Sequence, residues 1–264
     1  MAIKMKVNDI LKKIEDFAPK ALAYEWDNVG LLCGNKDEEV KGICVCLDAS
    51  LEVVENVIEN NCNLIVTHHP FIYRKIGSID YNSYFGKMTS LIVKHNISVI
   101  SAHTNMDKAA NGINQRLAEI IGLDNIKILE EDAENAGMGR YGDLQKEMTF
   151  GEFCENVKEK LNTSLRAIGS KDTLIKKAAV GGGSCIDMAE LAMQKNCDVF
   201  VTGDVKYHEA MDFMREGICI IDAGHYATEI CVVEIFEEIL SDCGVKVIKE
   251  YNSDVYSFVQ GENQ

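Results

Sequence analysis

The chain has 264 residues, of which 47% are hydrophobic and 26% are charged, a composition that excludes a disordered protein and allows a full hydrophobic core. Its net charge of −15 argues against binding to the phosphate backbone of a nucleic acid. The amino end lacks the apolar stretch of a secretory signal, and no segment approaches the ~20 apolar residues of a membrane span. We therefore expect a cytoplasmic protein with neither a nucleic acid nor a membrane as partner.

Helices and short strands are predicted to alternate along the first part of the chain. Helices are predicted at residues 7–17, 51–60, 84–95 and 112–121, and strands at residues 43–47, 64–67 and 97–101. Trp26 lies in the first long loop, where we expect it to belong to the core rather than to a ligand platform. Short β-branched runs that alternate with amphipathic helices are typical of βαβ units, so the predicted fold class is α/β.

The strand pattern repeats in the second part of the chain. Asn-Cys-Asn-Leu-Ile-Val-Thr at 61–67 is similar to Asn-Cys-Asp-Val-Phe-Val-Thr at 196–202. The flanking strands at 43–47 and 97–102 have counterparts near 178–182 and 218–223. One such match can arise between any two βαβ units, but three in the same order favour an internal duplication.

The duplication predicts two similar α/β halves, at residues 1–129 and 146–264. Residues 130–145 are acidic and then glycine-rich, which indicates a connection between the halves. Arg140 lies within this segment and has two interpretations: it is part of a linker, or it contacts an anionic substrate.

Potential metal ligands lie in three short stretches, two of which directly follow predicted strands. They are His68, His69, Asp107, His225 and Glu229. Adjacent residues of a strand point to opposite faces, but Pro70 indicates that the strand ends, so both histidines can turn into one cleft. A helix would place His225 and Glu229 on one face, a spacing that suits chelation.

Imidazole combined with carboxylate favours zinc, iron, manganese or cobalt over calcium or magnesium. Each fragment also has a plain structural interpretation: a His-His pair is usually a surface or hydrogen-bonded feature, and Asp107 can cap a helix that begins near Ala109. The candidates for proton transfer or for orienting the ligands are His103, His208 and Glu209, and for each of them ordinary hydrogen bonding is the alternative.

Six stretches resemble, in order, the motifs of the Nif-three-like family, whose members are often labelled GTP cyclohydrolase I type 2 homologues. They are Trp-Asp-Asn-Val-Gly-Leu at 26–31, Thr-His-His-Pro at 67–70, Ala-His-Thr-Asn-Met-Asp at 102–107, Gly-Arg-Tyr-Gly at 139–142, Thr-Gly-Asp-Val-Lys-Tyr-His-Glu at 202–209 and Asp-Ala-Gly-His-Tyr-Ala-Thr-Glu at 222–229. Where the family often has Gly-Glu before Lys-Tyr-His, this chain has Gly203-Asp204.

The resemblance implies two similar α/β halves facing a central cleft with a dinuclear metal centre, and a homohexamer. It implies the same five metal ligands, which would hold two divalent ions, with zinc, iron or manganese expected. The predicted activity is that of a metal-dependent hydrolase acting on a small anionic or nucleotide substrate; the family label suggests GTP, with release of formate. A metal-dependent phosphoester hydrolase and a non-catalytic metal-handling or interaction protein remain as alternatives.

Overall fold

The computed structural model describes residues 4–257, which form two compact units. Unit 1 extends to Gly112 and also includes Val232–Asn252, whereas unit 2 comprises Ile113–Cys231 and the described residues 253–257. The boundaries therefore differ from the predicted ones, because the chain returns to unit 1 near its carboxyl end. Sequence periodicity locates a helix or a strand, but it does not show which sheet edge that element joins.

The helices and strands of both units have the following bounds. The helices are α1 (Val7–Phe17), α2 (Leu51–Glu59), α3 (Tyr84–Lys94), α4 (Thr104–Lys108), α5 (Ile113–Ile121), α6 (Phe150–Leu161), α7 (Ala189–Gln194), α8 (Tyr207–Glu216), α9 (His225–Glu229) and α10 (Val232–Leu240). The strands are β1 (Gly30–Cys33), β2 (Gly42–Cys46), β3 (Leu64–Thr67), β4 (Ser98–Ser101), β5 (Leu123–Ala133), β6 (Ala136–Thr149), β7 (Arg166–Ile168), β8 (Leu174–Val180), β9 (Val199–Thr202), β10 (Cys219–Asp222) and β11 (Lys246–Glu250). Among the described residues, we find no helix with the length and apolar character to span a bilayer.

Unit 1 contains a five-stranded sheet in the order β1-β4-β3-β2-β11. All neighbouring strands are parallel except β1, which pairs antiparallel with β4. The three central strands are buried along their whole length, as expected for a parallel sheet covered on both faces. Thr67 pairs with Ser101 at the carboxyl ends of β3 and β4, so the residues that follow these two strands are neighbours.

Unit 2 contains a six-stranded sheet in the order β5-β6-β8-β9-β10-β7. Strands β8, β9 and β10 are parallel, and the remaining pairs are antiparallel. Alternate side chains of the parallel strands enter different clusters: Ala178 packs with residues of α5 and α6, whereas Ala179 packs with residues of α7. The α/β class is therefore confirmed, with helices on both faces of this sheet.

The two sheets share the arrangement that the predicted duplication requires. Each has three parallel strands, β4-β3-β2 in one and β10-β9-β8 in the other. In each sheet an antiparallel edge strand, β1 or β7, pairs with the corresponding outer strand. The strands that were matched by sequence therefore occupy equivalent places in their own sheets.

The prediction that residues 130–145 form a connection is wrong. They lie in the long antiparallel hairpin β5-β6, which turns at Asn135 with a φ of +60°. A Cβ atom at Gly137 would overlap the carbonyl oxygen of Glu130 on the paired strand. The glycines therefore permit close strand pairing, which the sequence alone did not distinguish from linker composition.

Candidate functional site

The histidine pair of unit 1 lies directly after β3. The backbone N–H groups of His68 and His69 donate to the carbonyls of Cys46 (3.3 Å) and Leu47 (3.0 Å). The chain is therefore still hydrogen-bonded to the carboxyl end of β2 and the residue after it. Pro70 comes next, and it has no N–H with which to continue the ladder. The two imidazole rings lie 5.0 Å apart, centroid to centroid, with 46° between their planes.

His103 joins this pair from the end of β4. Its ring centroid lies 5.1 Å from that of His68 and 5.7 Å from that of His69. Each of the three rings offers one nitrogen, and these nitrogens lie within 4.8 Å of one another. We call His68, His69 and His103 the three-histidine cluster; its nitrogens are close enough to share a metal ion.

Asp107 lies on α4, a short buried helix that the sequence did not predict. Its Oδ1 is 3.8 Å from Nε2 of His68, and its side chain is almost fully buried. The helix is anchored by Asn105, whose Nδ2 donates to the carbonyl of Ala18 at 2.7 Å. The next helix begins at Ile113, so the alternative in which Asp107 caps a helix near Ala109 is wrong.

In unit 2, the predicted helical spacing of His225 and Glu229 is confirmed by α9. Nε2 of His225 lies 3.0 Å from Oε2 of Glu229, and Glu229 is only 4% exposed. A buried carboxylate beside an imidazole nitrogen forms a chelating pair of the kind that zinc and iron prefer.

Gly183 lies against this pair, in the loop that follows β8. Its φ is +63°, and a Cβ atom there would overlap Oε1 of Glu229 and come within 3.2 Å of Nε2 of His225. The loop is held by hydrogen bonds from Gly182 N–H to Asn114 (2.9 Å) and from Gly183 N–H to Thr228 (3.0 Å). The space beside the two donor atoms thus exists because residue 183 has no side chain.

We expect Gly183→Ala to displace the Glu229 carboxylate and lower metal content, as measured by elemental analysis of the purified variant. Gly217→Ala is the matched control, because Gly217 also has a positive φ (+89°) but no atom within 4 Å of its added Cβ. Both variants carry the strain of a left-handed alanine, about 1–2 kcal/mol. Equal metal content in the two variants would contradict a role for this space.

In both units the histidines are oriented through Nδ1. The Nδ1 contacts are His68 to the carbonyl of Ala102 (2.9 Å), His69 to Asp48 (2.8 Å), His103 to Asp27 (2.9 Å) and His225 to Asp204 (2.7 Å). A carbonyl or an ionised carboxylate only accepts, so Nδ1 carries the proton and donates it. Nε2 is then the ring nitrogen through which each histidine would bind a metal ion, the usual arrangement in metal-binding histidines.

Asp27 is the best defined of these partners. Besides His103, it accepts hydrogen bonds from the N–H (3.1 Å) and the hydroxyl (2.5 Å) of Thr104. Burial alone would raise the pKa of Asp27, but the hydrogen bonds from His103 and Thr104 outweigh it and lower this pKa to about 2. Asp27 is therefore an anionic acceptor that fixes the ring of His103.

The loop that carries Asp204 is fixed by a buried carboxylate at the end of β10. Asp222 accepts from the N–H of Val205 (3.2 Å) and the N–H of Gly224 (3.1 Å), and Arg166 also donates to it. These contacts hold Val205, which follows Asp204, and Gly224, which precedes His225. The Asp204–His225 hydrogen bond is thereby pre-organised.

The predicted site residues His208 and Glu209 lie on α8. His208 is exposed and contacts the ring of Tyr207 at a centroid distance of 5.4 Å. Glu209 accepts hydrogen bonds from the N–H (3.0 Å) and Nζ (2.8 Å) of Lys206, which lower its pKa. Glu209 thus stabilises the start of α8, the ordinary hydrogen-bonding role that was the alternative interpretation.

Arg140 is buried in the sheet of unit 2. Its guanidinium donates to the carbonyls of Gly137 and Gly139, both at 2.8 Å, and to Gln115 at 3.2 Å. Burial lowers the pKa of Arg140 to about 10. These contacts give Arg140 a role in holding the glycine-rich strand, whereas its contact with an anionic substrate stays a prediction.

Sequence reasoning missed the three aspartates that orient histidines. Asp48 and Asp204 each follow a buried strand, β2 or β9, where polar residues collect in α/β proteins. Asp27 lies before β1, far along the chain from its partner His103. Position after a strand was a usable signal for the first two, whereas the third depends on tertiary contact alone.

A family model described as DUF34/NIF3 (NGG1p interacting factor 3) matches residues 5–255. A Clostridium acetobutylicum protein named GTP cyclohydrolase 1 type 2 homolog is 38% identical, covering 97% of this chain and 100% of the relative. The crystal structure of Staphylococcus aureus protein SA1388 is similar with a TM-score of 0.90 at 30% identity, covering 97% of this chain and 99% of that one. A Bacillus cereus protein related to NIF3 has a TM-score of 0.89 at 25% identity, covering 98% and 100% of the two chains.

Proposed function

Since the chain belongs to the DUF34/NIF3 family, we propose that it is a metal-dependent hydrolase with a dinuclear centre that acts on GTP or a related nucleotide. The proposed ligands of the two divalent ions are His68, His69, Asp107, His225 and Glu229. Zinc, iron and manganese are the metals that suit this set, because it combines imidazole with carboxylate.

The observation that carries the proposal is the orientation of the histidines. In each unit an acceptor engages Nδ1, so Nε2 is the ring nitrogen that would bind a cation. Gly183 gives a second, independent observation, because it leaves room beside Nε2 of His225 and the buried carboxylate of Glu229. The residues present therefore fit a divalent metal.

A bound divalent ion lowers the pKa of water towards neutrality and polarises the bond that is attacked, which is the chemistry a metal-dependent hydrolase needs. Around it, the chain's own groups have separate tasks. His103 is proposed to move a proton at Nε2, because its Nδ1–H is held by Asp27 and its ring lies against His68 and His69. Glu209 and His208 have no assigned step.

The substrate class rests on the relatives. The proteins similar over the whole chain are named GTP cyclohydrolase 1 type 2 homologs, and such an activity opens the purine imidazole ring by hydrolysis and releases its carbon as formate. The net charge of −15 does not oppose an anionic nucleotide, because bound cations supply positive charge locally.

Purified protein loaded with zinc, iron or manganese is expected to release formate from GTP, and His69→Ala is expected to reduce this release to background. His69 is a suitable position because its ring is partly exposed and its loss should leave the buried core intact. Formate and phosphate should both be assayed. Phosphate without formate would instead identify a phosphoester hydrolase, and exchangeable metal without turnover would identify a metal-handling protein.

A further inference from the structure

Three aromatic rings of unit 1 form a cluster that the proposed chemistry does not use. Trp26 stacks on Tyr24 with 5.5 Å between centroids and 18° between planes, and Tyr73 meets Trp26 edge-on at 6.3 Å. We call these three residues the aromatic platform. The expectation that Trp26 belongs to the core is wrong, because its side chain is 60% exposed, and Tyr73 is 57% exposed. Large aromatic surfaces left in contact with water commonly mark a binding site.

The platform is rigidly supported although its outer faces are exposed. Asn28 Nδ2 donates to the carbonyl of Ile72 at 2.6 Å, which ties the loop of Trp26 to the segment that carries Tyr73. Nζ of the buried residue Lys108 also lies 3.4 Å from the ring centroid of Tyr24. A ligand would therefore meet rings that are already in place, which reduces the entropy lost on binding.

The platform also adjoins the three-histidine cluster. The ring of His103 lies 6.2 Å from Trp26 and 6.5 Å from Tyr73, in edge-on geometry in both cases. The same ring also lies against the rings of His68 and His69. A planar ring stacked on Trp26 or Tyr73 would thus lie next to the group to which we assign proton transfer.

We propose that the exposed faces of Trp26 and Tyr73 bind the purine base of the substrate by stacking, an inference that rests on the proposed function. Arg74 and Lys75 directly follow Tyr73 and, together with Tyr73, line a cavity of about 310 Å³, so this segment also offers positive charge to a nucleotide phosphate. Stacking tolerates any flat heteroaromatic ring and contributes about 1–3 kcal/mol per base. The platform supplies affinity and position, and the histidines supply the chemistry.

The test uses the fact that Trp26 is the one tryptophan of the chain. Its fluorescence should be quenched saturably by GTP and by guanosine added to the metal-free full-length protein, and not by inorganic triphosphate. Calorimetry should show that Trp26→Ala weakens GTP binding by about 5- to 150-fold, the equivalent of 1–3 kcal/mol, while Trp26→Phe retains most of the affinity. Thermal unfolding of both variants should match the wild type.

Tyr81→Ala is the matched control, because Tyr81 is 68% exposed in the same unit but lies outside the platform. Unchanged fluorescence together with wild-type GTP affinity in Trp26→Ala would overturn the stacking proposal. Binding is measured without metal and without turnover. The stacking proposal can therefore fail while the proposal of a metal-dependent hydrolase stands, and the reverse. Trp26-dependent binding without formate release would support stacking and contradict the proposed hydrolysis. Formate release with an unchanged KM in Trp26→Ala would contradict stacking and support the hydrolysis.

Discussion

Glu229→Gln is expected to abolish metal retention in the purified protein. The substitution keeps the size of the side chain but removes the negative charge of a buried carboxylate that lies 3.0 Å from Nε2 of His225. Loss of a direct ligand should exceed the about 10- to 100-fold weakening that follows removal of a hydrogen-bond partner of a ligand. Elemental analysis after dialysis against metal-free buffer, with titration of added zinc or manganese, measures the effect.

Glu209→Gln is the matched control for this prediction, since it makes the same chemical change in the same unit. Glu209 hydrogen bonds to Lys206 at the start of α8, so its variant should lose a little stability and keep its metal. Wild-type metal content in Glu229→Gln would remove this residue from the ligand set.

His103→Gln is expected to lower kcat by about 100- to 10,000-fold, the range typical of removing a general acid or base, while metal content stays at the wild-type level. Glutamine keeps a polar group of similar length but does not take up a proton at neutral pH. Asp27→Asn should give a smaller loss of kcat, because the fixed anionic acceptor of His103 is replaced by a neutral amide.

His95→Gln controls for the removal of a histidine from unit 1, because His95 is an exposed residue at the end of α3. It should behave as the wild type in both assays. A parallel loss of metal and activity in His103→Gln would show that His103 is a ligand of the ion rather than a proton-transfer group.

The elements that depend on local pattern were predictable. Helix α1 has the predicted bounds, Val7–Phe17, and β3 has the predicted bounds Leu64–Thr67. These segments have strong hydrophobic periodicity or a run of β-branched residues ended by a breaker. The α/β class and the resemblance to the family followed from the same short-range information and were confirmed.

What depends on long-range contact was not predictable from one sequence. Strand β11 pairs with β2, about 200 residues earlier in the chain, and no local pattern specifies that pairing. The hairpin β5-β6 was mistaken for a connection, because its glycines serve close strand approach. The turn-forming residues and apolar neighbours of Trp26 predict a loop packed on the core, but the exposure of Trp26 is set by the fold of that loop.

In the candidate site, too, some residues were predictable from the sequence and others were not. The five proposed ligands remain the predicted ones, because histidines and carboxylates at strand ends are visible as residue types and spacings. The aspartates that orient them were missed, since Asp27 reaches His103 and Asp204 reaches His225 only in the folded chain. Chemistry-bearing residues were therefore readable from the sequence, and the network that positions them was not.

The central claim, that this chain binds divalent metal through these histidines and carboxylates, is tested most directly by elemental analysis of the wild-type protein purified without added metal or chelator. We expect two equivalents of zinc, iron or manganese per chain, either as isolated or after incubation with the metal and removal of the excess. Less than one tenth of an equivalent of every divalent metal under both conditions would contradict the claim.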